Sequence, residues 1–423
     1  MEPIPLRWVI VLLLLAATTI NYIDRQALSV AAPVLMEEFA LSNAQYGTIT
    51  ATFLGAYAVG QLFGGRLIDW LGTRRAFSLA VLLWSLAAMG HALVRGFTGL
   101  LLARGGLGLF ESANYPAATK AIAEWMPRAE RGMAVAVVTA GPGLGAILAP
   151  PIVGGLILIG GWESAFLVTG AVGLFWLAVW QWLYHPPEKH PRLRQNERER
   201  LLGERLMAAD DKPMPTRALL LRRDMIGLIC ARFVGDGSFY FYVFWLPLYL
   251  ADTQGFQVRD IALFAWVPFL AADLGALGAG WLSGRLIKSG RSIDSVRKGL
   301  IWTGAVLGAV GLGALVAREP WMAIAPISAA LFFIQVRASQ TFTLPADIFP
   351  ARDVASVWGV YGAAGSLGAM LVTQGVGWVV DAAGYAPVFL AMALLPILSA
   401  ALISGLVPDI DERQAALSQT QAA

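Results

Sequence analysis

Residues 388–407 read VFLAMALLPILSAALISGLV, without a single charge. A helix rises about 1.5 Å per residue, so roughly 17–25 apolar residues cross the hydrocarbon of a bilayer. Residues 8–23, WVIVLLLLAATTINYI, and 76–92 have the same character. Across all 423 residues, 57% are hydrophobic and only 14% are charged. The mean hydropathy is +0.63. Ordinary soluble domains carry far more charge, so these values point to an all-α integral membrane protein. Arg7 precedes the first apolar run, but the run continues through Thr18, Asn21 and Tyr22 with no small-residue cleavage site, and it reads as a span rather than a secretory leader. The single cysteine, Cys230, permits neither an intramolecular disulfide nor a thiolate metal cluster. The net charge of +3 resides in short loops, where basic residues set topology rather than bind nucleic acid.

Apolar runs and the charges between them predict helices at 8–34, 43–69, 76–94, 98–124, 132–158 and 162–184. A second set follows at 224–251, 259–287, 298–317, 320–345, 355–382 and 385–407. The expectation is twelve transmembrane helices in two six-helix bundles, 1–184 and 224–407. The Pro- and charge-rich segment 185–223 is a linker unable to lie in hydrocarbon, and 408–423 is a tail. With both termini cytoplasmic, the linker and the loops at Arg74, Arg128, Arg291 and Arg352 lie inside, and only Arg95, Arg259 and Arg318 lie outside. The positive-inside rule favours that orientation.

The halves also echo each other. Gly64-Gly65-Arg66-Leu67-Ile68-Asp69-Trp70-Leu71-Gly72-Thr73-Arg74-Arg75 closes helix 2, and Gly280-Trp281-Leu282-Ser283-Gly284-Arg285-Leu286-Ile287-Lys288 closes helix 8. Small residues allow close helix packing; their recurrence at matching places suits a carrier built from internal repeats. Charges within spans cost at least about 2.5–3.5 kcal/mol each, so they mark function by default. They are Asp24, Arg25, Arg104, Glu111, Arg232, Asp236, Asp273 and Arg337. Asp24 and Arg25 point about 100° apart on their helix and need not pair with each other. Arg104 and Glu111 lie about two turns apart on one helix face. Arg232 and Asp236, four residues apart, read as a structural pair.

The 65–75 segment resembles the loop signature of the major facilitator superfamily, with Asp69, Gly72, Arg74 and Arg75 in place. Asn21-Tyr22-Ile23-Asp24-Arg25, the stretch from Arg104 through Glu111 to Pro116, Phe244-Trp245-Leu246-Pro247-Leu248-Tyr249-Leu250, Ala272-Asp273-Leu274-Gly275 and Leu344-Pro345-Ala346-Asp347-Ile348-Phe349-Pro350 resemble the anion:cation symporter family. Within that family they look like the hexuronate and aldonate permeases of bacteria. The resemblance implies alternating access, import of a sugar acid and coupling to protons at a bacterial inner membrane. It makes Asp24 and Glu111 the protonation sites, Arg104 the partner that controls Glu111, and Arg25 the ligand of the substrate carboxylate. Tyr22 and Tyr57 are candidates to lay rings against the sugar, joined by Trp245, Ser366 and Gln374, while Asp69, Arg74 and Arg75 form a gate. Helix 5 departs from the family pattern in reading Thr139-Ala140-Gly141-Pro142-Gly143-Leu144-Gly145, without the usual Asn or Ser, and Leu248 stands where hexuronate relatives tend to carry lysine.

Gly145 through Gly155, with Pro150-Pro151, partly resembles an antiporter motif, which keeps an organic anion exchanger, or a carrier of another carboxylate such as an aromatic acid, as the alternative. An enzyme is not expected: His91, His185 and His190 are the only histidines, and no nucleophile–base or metal constellation is visible. No cofactor or metal is expected. The expected partners are a small organic anion, protons and the bilayer, with the chain acting as a monomer.

Overall fold

The computed structural model describes residues 5–191, 193, 216–317 and 319–414; most of the expected linker and the end of the tail lie outside the described residues. The chain is helical, with no strand among the described residues. The first helices are α1 (Leu6–Glu38), α2 (Asn43–Leu71), α3 (Thr73–Gly90), α4 (Phe97–Glu111), α5 (Asn114–Trp125), α6 (Arg128–Thr139) and α7 (Gly141–Leu183). They are followed by α8 (Thr216–Leu220), α9 (Arg223–Gly235), α10 (Gly237–Gln254), α11 (Val258–Phe264), α12 (Val267–Lys288), α13 (Ile293–Leu307), α14 (Pro320–Ile348), α15 (Ala351–Ala383) and α16 (Ala386–Leu406).

Eight stretches among the described residues are long and apolar enough to cross a membrane. The longest, Glu130–Leu183, carries two expected spans, parted by non-helical Gly160 and Gly161. Gly161 adopts φ 78°, a left-handed conformation that glycine tolerates without a Cβ penalty. Three expected spans fall outside the eight for visible reasons. Helix α2 is diluted with Gly and Thr. The expected 98–124 helix is two helices, α4 and α5, because Pro116 has no N–H to donate to the Ser112 carbonyl. The expected 224–251 helix is interrupted at Asp236, between two glycines. The span expected at 259–287 is likewise two helices, and the one at 298–317 closes as the 3₁₀ segment Gly308–Val316.

By contact the chain divides into two units: residues 1–40 with 55–212, and 41–54 with 213–423. In the first unit α1 packs along α7. A Cβ on Gly145 would stand 2.5 Å from Tyr22 Cβ, so only glycine permits this approach. Phe77 sets its ring edge-on to Trp84, Trp176 and Trp180, filling the space between α3 and α7. In the second unit, Met225, Leu228, Ile301, Leu344, Val357, Tyr361 and Ile403 share one buried cluster. The start of α2 belongs to this unit. Asp381 accepts N–H bonds from Asn43 (3.1 Å) and Ala44 (2.8 Å), Tyr46 Oη donates to the Phe244 carbonyl (2.5 Å), and Thr50 Oγ1 bonds Thr373 Oγ1 (3.2 Å).

Candidate functional site

Helix α1 is apolar from Trp8 to Ala17 and, after Thr18, Thr19 and Ile20, presents Asn21, Tyr22, Asp24 and Arg25 within about one turn and a half. Helix α4 carries Arg104 in its middle and Glu111 as its last residue, where the break before Asn114 holds the carboxylate at a helix end. Asp24, Arg25, Arg104 and Glu111 are all buried. The structure brings them together: Arg25 Nε and Nη2 donate to Glu111 Oε2 at 3.4 and 3.3 Å. Arg104 Nη2 donates to the backbone carbonyl of Arg25 at 2.8 Å. Tyr22 and Tyr57 enclose the Arg25 guanidinium, with Cζ 4.4 and 4.7 Å from their ring centroids. A cation between two rings gains about 0.5–2 kcal/mol from each quadrupole according to its desolvation.

Two features decide what this arrangement can do. The Arg25–Glu111 bonds exceed the roughly 2.7–2.9 Å of a tight charge-assisted bond, so a better-placed carboxylate can displace Glu111. The set is also electrically balanced, two arginines against two acids, so an incoming anion leaves a buried negative charge unless a proton accompanies it. Asp24 stands beside Arg104 and the Thr169 hydroxyl. Helix spacing links Arg104 with Glu111, whereas the observed bonds to Glu111 come from Arg25.

The remaining expected residues lie elsewhere. Trp245, in the second unit, donates through Nε1 to Thr373 Oγ1 (2.8 Å) and sets its ring edge-on to Tyr46 at 5.0 Å. Gln374 donates to Thr48 Oγ1 (3.0 Å), and Ser366 is buried in α15. Asp69 pairs with Lys120 Nζ at 2.7 Å, Arg74 Nη2 donates to the Gln181 carbonyl, and Arg75 is exposed. Lys120 was legible as a charge inside the 98–124 apolar window but lies near its polar end. Thr373 and His91 carry no such signal. Thr373 is one Thr among many, and His91 is buried, bonding the Ala87 carbonyl through Nδ1 (2.8 Å) and stacking on Phe166 at 4.8 Å. Among the described residues no group of three His, Cys, Asp or Glu could hold a metal ion.

Many apolar spans and a balanced set of buried charges in one unit fit a membrane transporter, and the family match agrees. Residues 14–333 match the Major Facilitator Superfamily, and the chain belongs to that superfamily. It is 32% identical over 406 residues to a hexuronate transporter of Escherichia coli strain K12, covering 94% of this chain and 93% of that protein. It is 34% identical over 329 residues to a galacturonate transporter of Dickeya chrysanthemi, covering 77% of this chain and 95% of that one. The crystal structure of a D-xylose–proton symporter matches the fold with a TM-score of 0.76 at 17% identity, covering 95% of this chain and 98% of that chain.

Proposed function

We propose that this transporter imports a sugar acid, a hexuronate or aldonate, together with protons, by alternating access across a bacterial inner membrane. The observation that carries the reading is the loose Arg25–Glu111 pair inside an electrically balanced set. The substrate carboxylate takes the place of Glu111 on Arg25, and Glu111 then accepts the proton that keeps the buried set neutral. Asp24, buried beside Arg104, is the second proton carrier. Arg104 holds the Arg25 backbone and tunes Glu111 through its charge. Tyr22 and Tyr57 keep the guanidinium in place and offer ring faces and hydroxyls to the sugar. Trp245, Ser366 and Gln374 are the further substrate contacts, and Asp69, Arg74 and Arg75 belong to the gate. Both termini are cytoplasmic, and the chain works as a monomer. The relatives named for hexuronate and galacturonate transport support the substrate class.

The test is uptake of labelled glucuronate, galacturonate and galactonate into proteoliposomes with and without an inward proton gradient. Accumulation of one sugar acid that requires the gradient, and that is lost in Glu111→Gln while counterflow exchange persists, is the expected result. Transport that ignores the gradient would replace symport with anion exchange, the mode that the Gly- and Pro-rich helix α7 also fits. No movement of any sugar acid would reject the substrate class in favour of another carboxylate.

A further inference from the structure

The second unit repeats the construction of the first at the matching spans. In the first, the fourth span sends Arg104 to the carbonyl of Arg25 in the first span. In the second, the tenth span, α14, sends Arg337 Nη2 to the carbonyl of Gly235 at the end of α9, at 3.0 Å. The first carbonyl belongs to an arginine, and the second lies about one turn after one; each arginine is enclosed by rings and met by a carboxylate. For Arg25 these are Tyr22, Tyr57 and Glu111. For Arg232 they are Tyr361 at 4.3 Å, Phe342 at 4.5 Å, Trp358 at 5.4 Å and Asp236 at 2.8 Å.

The charge balance differs between the two. Arg232 and Arg337 share one carboxylate, Asp236, since the other bond from Arg337 goes to the neutral Ser399 hydroxyl at 3.1 Å. The remaining titratable groups facing the pair, Tyr240 and Tyr361, are uncharged at neutral pH. Asp273, the other in-span acid of this unit, bonds neither arginine among the described residues, so one positive charge is left over at this cluster, where it is costly unless an anion meets it. Arg232 Nη1 is buried and makes no hydrogen bond of good geometry; the Tyr361 hydroxyl, which donates to the Thr341 carbonyl at 3.2 Å, lies close enough to interact with the guanidinium. The Arg232 and Asp236 side chains are each 13% exposed, so the pair is not wholly sealed in the core. A guanidinium has five N–H donors, and Asp236 is bonded through Nε, so a second oxygen can approach Nη1 without evicting it.

We infer that the second unit holds an anion subsite of its own, built on Arg232, whose ligand is a sugar-acid carboxylate. The ligand class rests on the function proposed above; the subsite adds a recognition point with the opposite proton requirement. A carboxylate on Arg232 completes neutrality by itself, whereas one on Arg25 requires a proton to preserve it.

Trp358 sits against Arg232 and supplies the probe. The full-length protein is labelled with 5-fluorotryptophan in nanodiscs, and the ¹⁹F resonance that disappears in Trp358→Phe is followed during titration with glucuronate, galactonate and neutral galactose. The expected result is a shift of that resonance by the acids and not by galactose, retained in Arg25→Lys. Arg232→Lys keeps the charge but loses the fork, and should weaken the Trp358-detected affinity by about tenfold or more, as loss of a hydrogen bond to a charged group implies. If other tryptophan resonances respond to the acids while Trp358 does not, or if its response vanishes in Arg25→Lys and survives in Arg232→Lys unchanged, the subsite is overturned and the transport reading stands. If no resonance of the wild type responds to any sugar acid, both fall together.

Discussion

At the scale of single residues, the question is why a membrane protein retains four charges in one buried cluster. Each would cost at least about 2.5–3.5 kcal/mol if left alone in a span. The geometry reduces that cost by pairing Arg25 with Glu111 and by anchoring Arg104 on a carbonyl, but the bonds of 3.3–3.4 Å leave the pair loose. In the function proposed above, that looseness lets the pair yield to substrate. Arg25→Lys keeps the charge but removes both the fork and the stacking between Tyr22 and Tyr57. A loss of about 0.5–2 kcal/mol corresponds to a rise in KM for sugar-acid uptake of roughly 2- to 30-fold, measurable in proteoliposomes. These charges were legible in sequence because ionisable residues are rare within apolar windows. Their pairing was not, since spacing along α4 can relate Arg104 only to Glu111, and the observed partner comes from another helix.

At the scale of elements, breaks and close approaches place those residues. Pro116 ends α4 at Glu111, and Gly145 lets α7 touch α1 beside Tyr22. In Gly145→Ala, the new Cβ meets the Tyr22 Cβ and the Thr19 carbonyl, atoms that cannot swing aside. Overpacking of this kind costs about 1–3 kcal/mol, so the melting temperature should fall and KM should rise as Tyr22 is displaced from Arg25. The start of α13 offers a second test. Slight burial pulls the Asp411 carboxyl up, but N–H donation from Asp294 and Ile293, with the Ser292 hydroxyl, holds it below its ordinary value. Because folding lowers this pKa, the contribution is present above the unfolded carboxylate range and is lost as pH falls through the folded value. Acidification below about pH 4 should therefore lower the melting temperature of wild type more than that of Asp411→Asn, in which this carboxylate is already absent.

At the scale of the whole molecule, ligand binding should be visible as stability. A sugar acid at about 100 times its dissociation constant adds roughly 2.7 kcal/mol to the folded state. Thermal unfolding of the purified protein should shift upward with the transported acid, the shift shrinking in Arg25→Lys and absent with a neutral sugar. An equal shift with a neutral sugar would mean that charge does not select the ligand. The sequence by itself determined that the chain is helical, spans a membrane many times and repeats its plan. Apolar run length and charge placement are local properties, set by the thickness of hydrocarbon and the cost of burying an ion. Tertiary structure alone decided that Arg25 meets Glu111 and that Arg104 and Arg337 each anchor a carbonyl. It also decided that the start of α2 packs with the second unit and that Arg232 is left with a donor to spare. These are contacts between residues distant in sequence, and no helical period specifies which faces of separate helices meet.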